Sequence, residues 1–163
     1  MRKSVWIILA VVAAALTVAG TALAAPHFAS ASGAVNSAGA LVVSFDERGL
    51  GNENIDYTLT ADAEALYACI NRGGKNPSAA NKQSFEGQVA GGGSFEAKNG
   101  RVQASLSVGP LAAPEFTCPG GQSRQLAQVS YSNIVLTDTT NDVSTTIPNV
   151  SRCLLPNIPG LCA

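Results

Sequence analysis

Apolar and polar residues alternate with a period of two over most of the chain from Leu41 onward. Leu41, Val43 and Phe45 share one face of the first such segment. A period of two places alternate side chains on opposite faces of a β-strand, so the pattern predicts strands with one buried face. The same alternation recurs in segments 55–59, 85–89, 95–97, 102–108, 127–136 and 143–147.

Three local signals refine this pattern. Residues 65–70 are apolar on both faces, which predicts a central strand covered on both sides. Asn99-Gly100 separates two alternating segments and predicts a tight hairpin turn, because both residue types tolerate positive φ. The apolar phase shifts between Tyr131 and Ile134, which predicts a β-bulge within that strand.

Short strands joined by Gly, Asn and Pro turns, with no sustained helical period, are typical of an antiparallel β-sandwich or barrel. We predict an all-β, immunoglobulin-like sandwich of about 7–8 strands over residues 41–150, with a small β-barrel as the alternative. The likeness to immunoglobulin domains concerns architecture alone, because the only tryptophan, Trp6, precedes the predicted domain.

The N-terminus has the three-part layout of a secretory signal peptide. Arg2 and Lys3 precede an apolar run over residues 5–18, and Ala22 and Ala24 are the small residues that a signal peptidase reads. We therefore expect a signal-peptide helix over residues 1–24, cleavage near Ala24 and secretion or retention in the cell envelope. The alternative is an uncleaved anchor, in which case this segment would be the protein's contact with a membrane.

The flanks of the predicted domain have no regular pattern. Residues 25–40 are mostly Ala, Ser and Gly and carry no formal charge, so we expect a flexible leader there. Residues 151–163 contain two prolines and two cysteines and predict a disulfide-closed C-terminal loop.

Four cysteines in an exported chain predict two disulfides, and three connectivities are possible. We favour Cys69–Cys118 and Cys153–Cys162, because the second pair is close in sequence and brackets a proline-rich loop. A zinc site is disfavoured, since no Cys-x-x-Cys pair occurs and the single histidine offers no partner set.

Charge and residue types exclude several functions. Cleavage after Ala24 would remove two of ten basic residues and leave eight against eleven acidic ones, a formal charge of −3. Such a chain is a poor nucleic-acid binder. The only histidine, His27, lies in the expected leader, so a histidine-dependent catalytic site is not expected. We predict no cofactor and no enzymatic activity.

Three segments carry candidate chemistry. The first, residues 46–56, is rich in oxygen ligands and suggests a weak calcium site or, alternatively, the carboxylates of a hydrolase, with a solvated loop as the simpler interpretation. The candidate residues are Asp46, Glu47, Glu53 and Asp56.

The second segment is a basic loop, with Arg72, Lys75 and Lys82, that could contact an anionic wall polymer or another extracellular protein. The third is the 153–162 ring, whose apolar residues would bind a partner if exposed, as in a protease inhibitor, or would cover one end of the sandwich as a flap. Those residues are Leu154, Leu155, Ile158 and Leu161.

The alanine-rich start, the SFDERGLG stretch at 44–51 and the AANKQ stretch at 79–83 resemble small exported β-rich proteins of high-GC Gram-positive bacteria. The resemblance implies an exported setting and assigns no site. The function predicted from the sequence is a secreted, disulfide-stabilised binding or envelope-associated module. The ligand and the oligomeric state are left open.

Overall fold

The computed structural model describes residues 24–71, 81–158 and 160–162. This part of the chain forms two antiparallel sheets from eight strands and contains no helix, which confirms the predicted all-β sandwich. The expected signal-peptide helix lies outside the described residues. The strands are β1 His27–Val35, β2 Leu41–Arg48, β3 Asn54–Asn71, β4 Lys82–Glu96, β5 Arg101–Val108, β6 Gln122–Asp138, β7 Val143–Ile147 and β8 Val150–Cys153.

The smaller sheet has the order β1-β2-β5, and the larger has the order β4-β3-β6-β7, with β8 also paired to β6. β3 has 18 residues and β6 has 17, whereas β2 and β5 have eight each. At about 3.3 Å per residue, β3 is roughly twice as long as β2. The long strands therefore extend beyond the smaller sheet, and other segments must cover that overhang.

The core lies between the sheets and is built from the alternating positions read in the sequence. Leu41, Val43 and Phe45 of β2 face Ile55 and Leu59 of β3, and all are almost inaccessible to solvent. Interior packing of this kind supplies most of the favourable free energy of folding. The period-two pattern thus identified the inner faces of these strands correctly.

The predicted bulge is present in β6. Thr60 pairs with Val135 and Asp62 pairs with Ser132, so two residues of β6 oppose one of β3. The extra residue is Asn133, whose φ is +48°. This insertion explains why the buried positions change from odd to even numbers along β6.

The predicted turn at Asn99-Gly100 also forms, with φ values of +53° and +74°. Only Lys98 and Arg101 pair beside it, and the strands then diverge, β4 into one sheet and β5 into the other. The turn is therefore a connection between the sheets and does not close a long hairpin.

The flexible leader predicted over residues 25–40 is wrong, because residues 27–35 form β1 and pair with β2. A Cβ on Gly33 would lie 3.0 Å from Ile147 Cγ2 of β7, so a larger side chain is crowded at that position. Pairing with β2 and the packing of Phe28 and Val35 against the core hold this edge strand in place.

Other predicted boundaries also change. The segments 55–59 and 65–70 belong to one continuous strand, β3, and the segment 85–89 and residues 95–96 belong to β4, which ends at Glu96. The exposed Asp62 and Glu64 do not interrupt β3, and the residues at 90–94, mostly glycine, do not interrupt β4. The predicted C-terminal loop begins with a strand, since β8 pairs with residues 128–131 of β6.

Two loops, each fixed by a disulfide, cover the part of β3 and β6 that extends beyond the smaller sheet. Cys69 of β3 is bonded to Cys118 of the β5–β6 loop, and Cys153 of β8 is bonded to Cys162. These are the pairs favoured from the sequence. The first fixes Ala113 and Phe116 against one face of β3, so the overhang is closed on its inner side.

Candidate functional site at the polar end of the sandwich

The other end of the sandwich, where β2 ends and β3 begins, carries most of the charged and buried polar groups. Asp46, Glu47 and Arg48 are consecutive at the end of β2. Because successive side chains of a strand point to opposite faces, Asp46 and Arg48 lie on the outer face while Glu47 points into the core. One tripeptide therefore forms two different polar sites.

The outer site is an ion-pair cluster. The register of β2 and β5 places Arg48 directly opposite Arg101, an arrangement that is unfavourable for like charges. Asp46 offsets it. Arg101 donates from Nε and Nη2 to the two carboxylate oxygens of Asp46 at 2.8 and 2.7 Å, and Arg48 Nη2 donates to the same carboxylate at 3.1 Å.

The hydrogen bonds from Arg101 and Arg48 hold the pKa of Asp46 well below its usual range. The hydrogen bond with Asp46 in turn raises the pKa of Arg101. The side chain of Asp46 is 11% exposed, but those of Arg48 and Arg101 are 54% and 42% exposed. The carboxylate thus holds two guanidinium groups that still face solvent, and the cluster carries one excess positive charge.

Beside this cluster lies a groove of about 450 Å³. It is bordered by both arginines, by Asn99 and Gly100 of the tight turn, and by Ala24, which the cleavage expected near Ala24 would remove and so widen the groove. Planar guanidinium groups recognise carboxylates and phosphates well, because their N–H donors match two acceptor oxygens. We name Arg48, Arg101, Asp46 and the Asn99-Gly100 turn the arginine rim.

The inner site is a buried polar cluster. Glu47 and Asp138 are fully buried and Tyr57 is 2% exposed. Tyr57 of β3 is the cross-strand partner of Asp138 of β6, and both lie on the inner face beside Glu47. We name Glu47, Tyr57 and Asp138 the buried triad.

The members of the buried triad differ in their hydrogen bonds. Asp138 accepts from the backbone N–H groups of Thr140 and Asn141 and from the Asn141 side chain, at 2.7 to 2.9 Å. By contrast, the two carboxylate oxygens of Glu47 complete no hydrogen bond with described residues. The same is true of the Tyr57 hydroxyl. Burial raises the pKa of Glu47 to about 7; the nearby Tyr57 hydroxyl opposes this increase, and Asp138 adds to it. Burial likewise raises the pKa of Tyr57.

The four calcium candidates do not converge. Asp46 is paired with arginines on the outer face of β2, and Glu47 is buried on its inner face. Glu53 lies in an exposed loop and Asp56 is an exposed residue of β3. Among residues 24–71, 81–158 and 160–162, no three His, Cys, Asp or Glu side chains gather as metal ligands. Nor do Asp46 and Glu47 form the carboxylate pair of the hydrolase hypothesis.

The basic loop is only partly described. Arg72 and Lys75 lie outside the described residues, so their role stays a prediction. Lys82, the first residue of β4, donates from Nζ to the carbonyl oxygen of Gly160 at 3.0 Å. This bond links the loop's end to the C-terminal ring.

The described residues of the 153–162 ring fold back onto the larger sheet. Leu161 is 2% exposed and packs with Ala68 and Ile70 on the outer face of the overhang. Leu155 and Ile158 are half-buried against the same cluster, and Leu154 packs against the main core. The protease-inhibitor alternative required exposed apolar side chains on this ring. Leu161 does not meet that requirement, because the larger sheet covers it.

A second charged surface occupies the outer face of the larger sheet. Glu64 of β3 lies directly opposite Glu86 of β4, and Asp62 is nearby in a groove of about 420 Å³. Asn133 donates to Asp62 at 2.7 Å. The outer face of the larger sheet is thus acidic around these residues, whereas the arginine rim is locally basic.

Sequence reasoning missed Arg101, Tyr57 and Asp138 as members of these sites. Asp138 continues the every-second-residue pattern of the buried residues Ile134 and Leu136. That pattern is the signal that could have placed Asp138 inside the sandwich. His27 lies at the start of β1, exposed, with Nδ1 2.9 Å from the carbonyl oxygen of Ala25.

Comparisons with known proteins found no matching family model, no matching curated protein and no matching solved structure. In the part of the chain that the structure describes, no helix has the length and hydropathy needed to span a membrane.

Proposed function

We propose that the protein is an extracellular, non-enzymatic binding module that recognises anionic polymers of the cell envelope through the arginine rim. Export by the N-terminal segment, with cleavage near Ala24, is part of this proposal. Its support is the pair of disulfides, since such bonds form and persist in oxidising compartments.

The observation that carries the binding proposal is the pair of opposed, exposed arginines that share one carboxylate beside a groove. Two like charges facing each other across strands oppose folding, and a single carboxylate neutralises only one of them. Asp46 holds both guanidinium groups beside the groove and neutralises one of their charges.

The distribution of charge favours one orientation of the module. An anionic polymer is attracted to the arginine rim and repelled by the acidic face around Glu64 and Glu86. Because both arginines are partly exposed, the interaction should be weak per site and sensitive to salt. Repeated phosphate or carboxylate groups along a polymer would increase the retention through multivalency.

Asp46 and Glu47 of the first segment support a role without catalysis. Asp46 is engaged by two arginines, and Glu47 is enclosed in the core. A general base must reach the proton it removes, and neither group is free to do so.

The experiment is elution by a salt gradient from immobilised polyphosphate and immobilised polyglutamate. Arg48→Gln should elute at lower salt than the wild type, because it removes the more exposed guanidinium. Asp46→Asn should elute at higher salt, because it raises the net charge of the rim from one to two. Glu64→Gln is the control on the acidic face and should not elute earlier.

Two results would overturn the proposal. One is a wild-type protein that is not retained on either matrix at low salt. The other combines two observations: the double variant Arg72→Glu with Lys75→Glu is not retained, and Arg48→Gln elutes like the wild type. That combination would show that the basic loop, and not the arginine rim, binds the polymer. Circular dichroism of each variant verifies that its fold is retained.

A further inference from the structure

The buried triad is the feature of the core that polymer binding does not explain. Glu47 is fully buried, yet neither of its oxygens completes a hydrogen bond with described residues. A buried acceptor that has lost its water costs about 1–3 kcal/mol, and a buried charge costs more. Such a group needs a physical explanation, and the proton that Glu47 binds supplies one.

Among the residues that the structure describes, no cation forms an ion pair with Glu47. Its neighbours in register are Phe28 of β1 and Val102 of β5, both apolar. The titratable groups that face it are Tyr57 from β3 and Asp138 from β6.

Cations near this end of the sandwich do not neutralise Glu47. Arg48 and Arg101 lie on the outer face of the smaller sheet, where both bind Asp46. His27 of β1 is close enough to favour the charged form of Glu47 slightly, but it is exposed at the start of its strand.

We propose that Glu47 is a proton-controlled latch for the polar end of the sandwich and for strand β1. With a proton, the carboxyl group of Glu47 is neutral and can donate a hydrogen bond within the buried triad. Without it, an uncompensated charge faces Asp138 inside the core and loosens this end. The latch is independent of whether the arginine rim binds polymers.

Strand β1 is the element best placed to respond. Among the described strands it pairs with β2 alone, at the edge of the smaller sheet, and its register shifts between Phe28 and Ser30, directly beside Glu47. Phe28 also contacts Phe45 and Tyr57 edge to face. Hydration of a charged Glu47 would require displacement of this ring, and so of the start of β1.

The pH window follows from burial. Glu47 holds its proton up to about pH 7 in the folded protein, against a reference pKa of 4.5. The native state therefore binds more protons than the unfolded state between these values, and stability falls as pH rises through this window. At about pH 8 Glu47 is ionised in both states, and its contribution to the pH dependence of stability ends.

The first test is denaturant unfolding of the oxidised protein between pH 5 and pH 8. The folding equilibrium constant of the wild type should fall on the order of 50-fold across this range, since each pH unit within the window is worth up to tenfold. Glu47→Gln, which is neutral at every pH, should remove this fall. Glu53→Gln, a change at an exposed carboxylate, should follow the wild type.

The second test requires no variant. The carboxyl carbon-13 resonance of Glu47 should titrate near pH 7, and amide exchange in β1, corrected for intrinsic rates, should accelerate more than that in β6 above this pH. An ordinary glutamate titration, an unchanged pH slope in Glu47→Gln, or equal acceleration in β1 and β6 would each overturn the proposal.

Discussion

The two ends of β3 and β6 are stabilised by different chemistry. At one end, Cys69 of β3 is covalently bonded to Cys118, and Arg124 of β6 donates to the carbonyl oxygens of Ala113 and Phe116 in the same loop. At the other end, the same two strands contribute Tyr57 and Asp138 to the buried triad. The first end should respond to reductant and the second to pH and salt.

The comparison shows how a short second sheet affects the longer one. At the disulfide end, the smaller sheet of the described residues does not reach β3 and β6, and two bonded loops cover the two faces. The polar end is covered by β1, β2 and β5, and it accommodates buried carboxyl groups in place of a complete apolar core. The following predictions separate the two ends.

The largest effect should come from Cys69→Ser with Cys118→Ser. The bond closes a loop with a sequence separation of 49, and its loss should cost about 4 kcal/mol through the entropy of the unfolded chain. Unfolding in denaturant measures this cost. A loss below about 1 kcal/mol would show that packing alone closes the overhang.

Cys153→Ser with Cys162→Ser should cost less, about 2–3 kcal/mol, because the sequence separation is only nine. The same titration in denaturant checks the order of the two pairs. If the second pair costs more than the first, the packing of Leu161 against Ala68 and Ile70 outweighs the loop entropy.

Asp46→Asn should have a smaller effect that depends on pH and salt. The pKa of Asp46 is lowered in the folded protein, so its contribution is present above the ordinary aspartate pKa and is lost as pH falls through the folded value. The variant should be less stable than the wild type at pH 7 in low salt, and the difference should shrink in acid and in high salt. A difference that is constant with pH would contradict the ion-pair account.

Lys82→Gln should have the smallest effect. Its bond to Gly160 is exposed, and such substitutions usually change stability by no more than about 0.5 kcal/mol. Thermal unfolding provides the measurement. A loss as large as that of the Cys153 and Cys162 pair would show that this contact fixes the C-terminal ring.

The sequence predicted the core strands because alternation is a direct consequence of burying one face. It also predicted the bulge at Asn133, because an inserted residue must shift the apolar phase. It failed for β1, because Ala, Ser and Gly fill most of this strand, and the crowding of Gly33 by Ile147 of β7 disfavours a larger side chain at that position. The divergence of β4 and β5 depends on tertiary packing, which local turn chemistry does not specify.

The candidate site was predictable in part. Glu47 continues the buried parity of Leu41, Val43 and Phe45, and this parity places it inside the sandwich. Its neighbours could not be deduced, because the proximity of β2 to the start of β3 and the end of β6 depends on the strand order. The pairing of Asp46 with Arg101 likewise depends on the register of β2 and β5, which are separated by more than 50 residues.

The most direct test of the difference between the two ends is amide hydrogen exchange, followed by mass spectrometry, of the protein before and after reduction and at pH 5 and pH 8. With correction for intrinsic rates, reduction should accelerate exchange in residues 66–71 and 122–127. The change to pH 8 should accelerate exchange in residues 27–35 and 43–48. The contrary result is acceleration of the same segments by both treatments, which would show that the sandwich opens as a single unit.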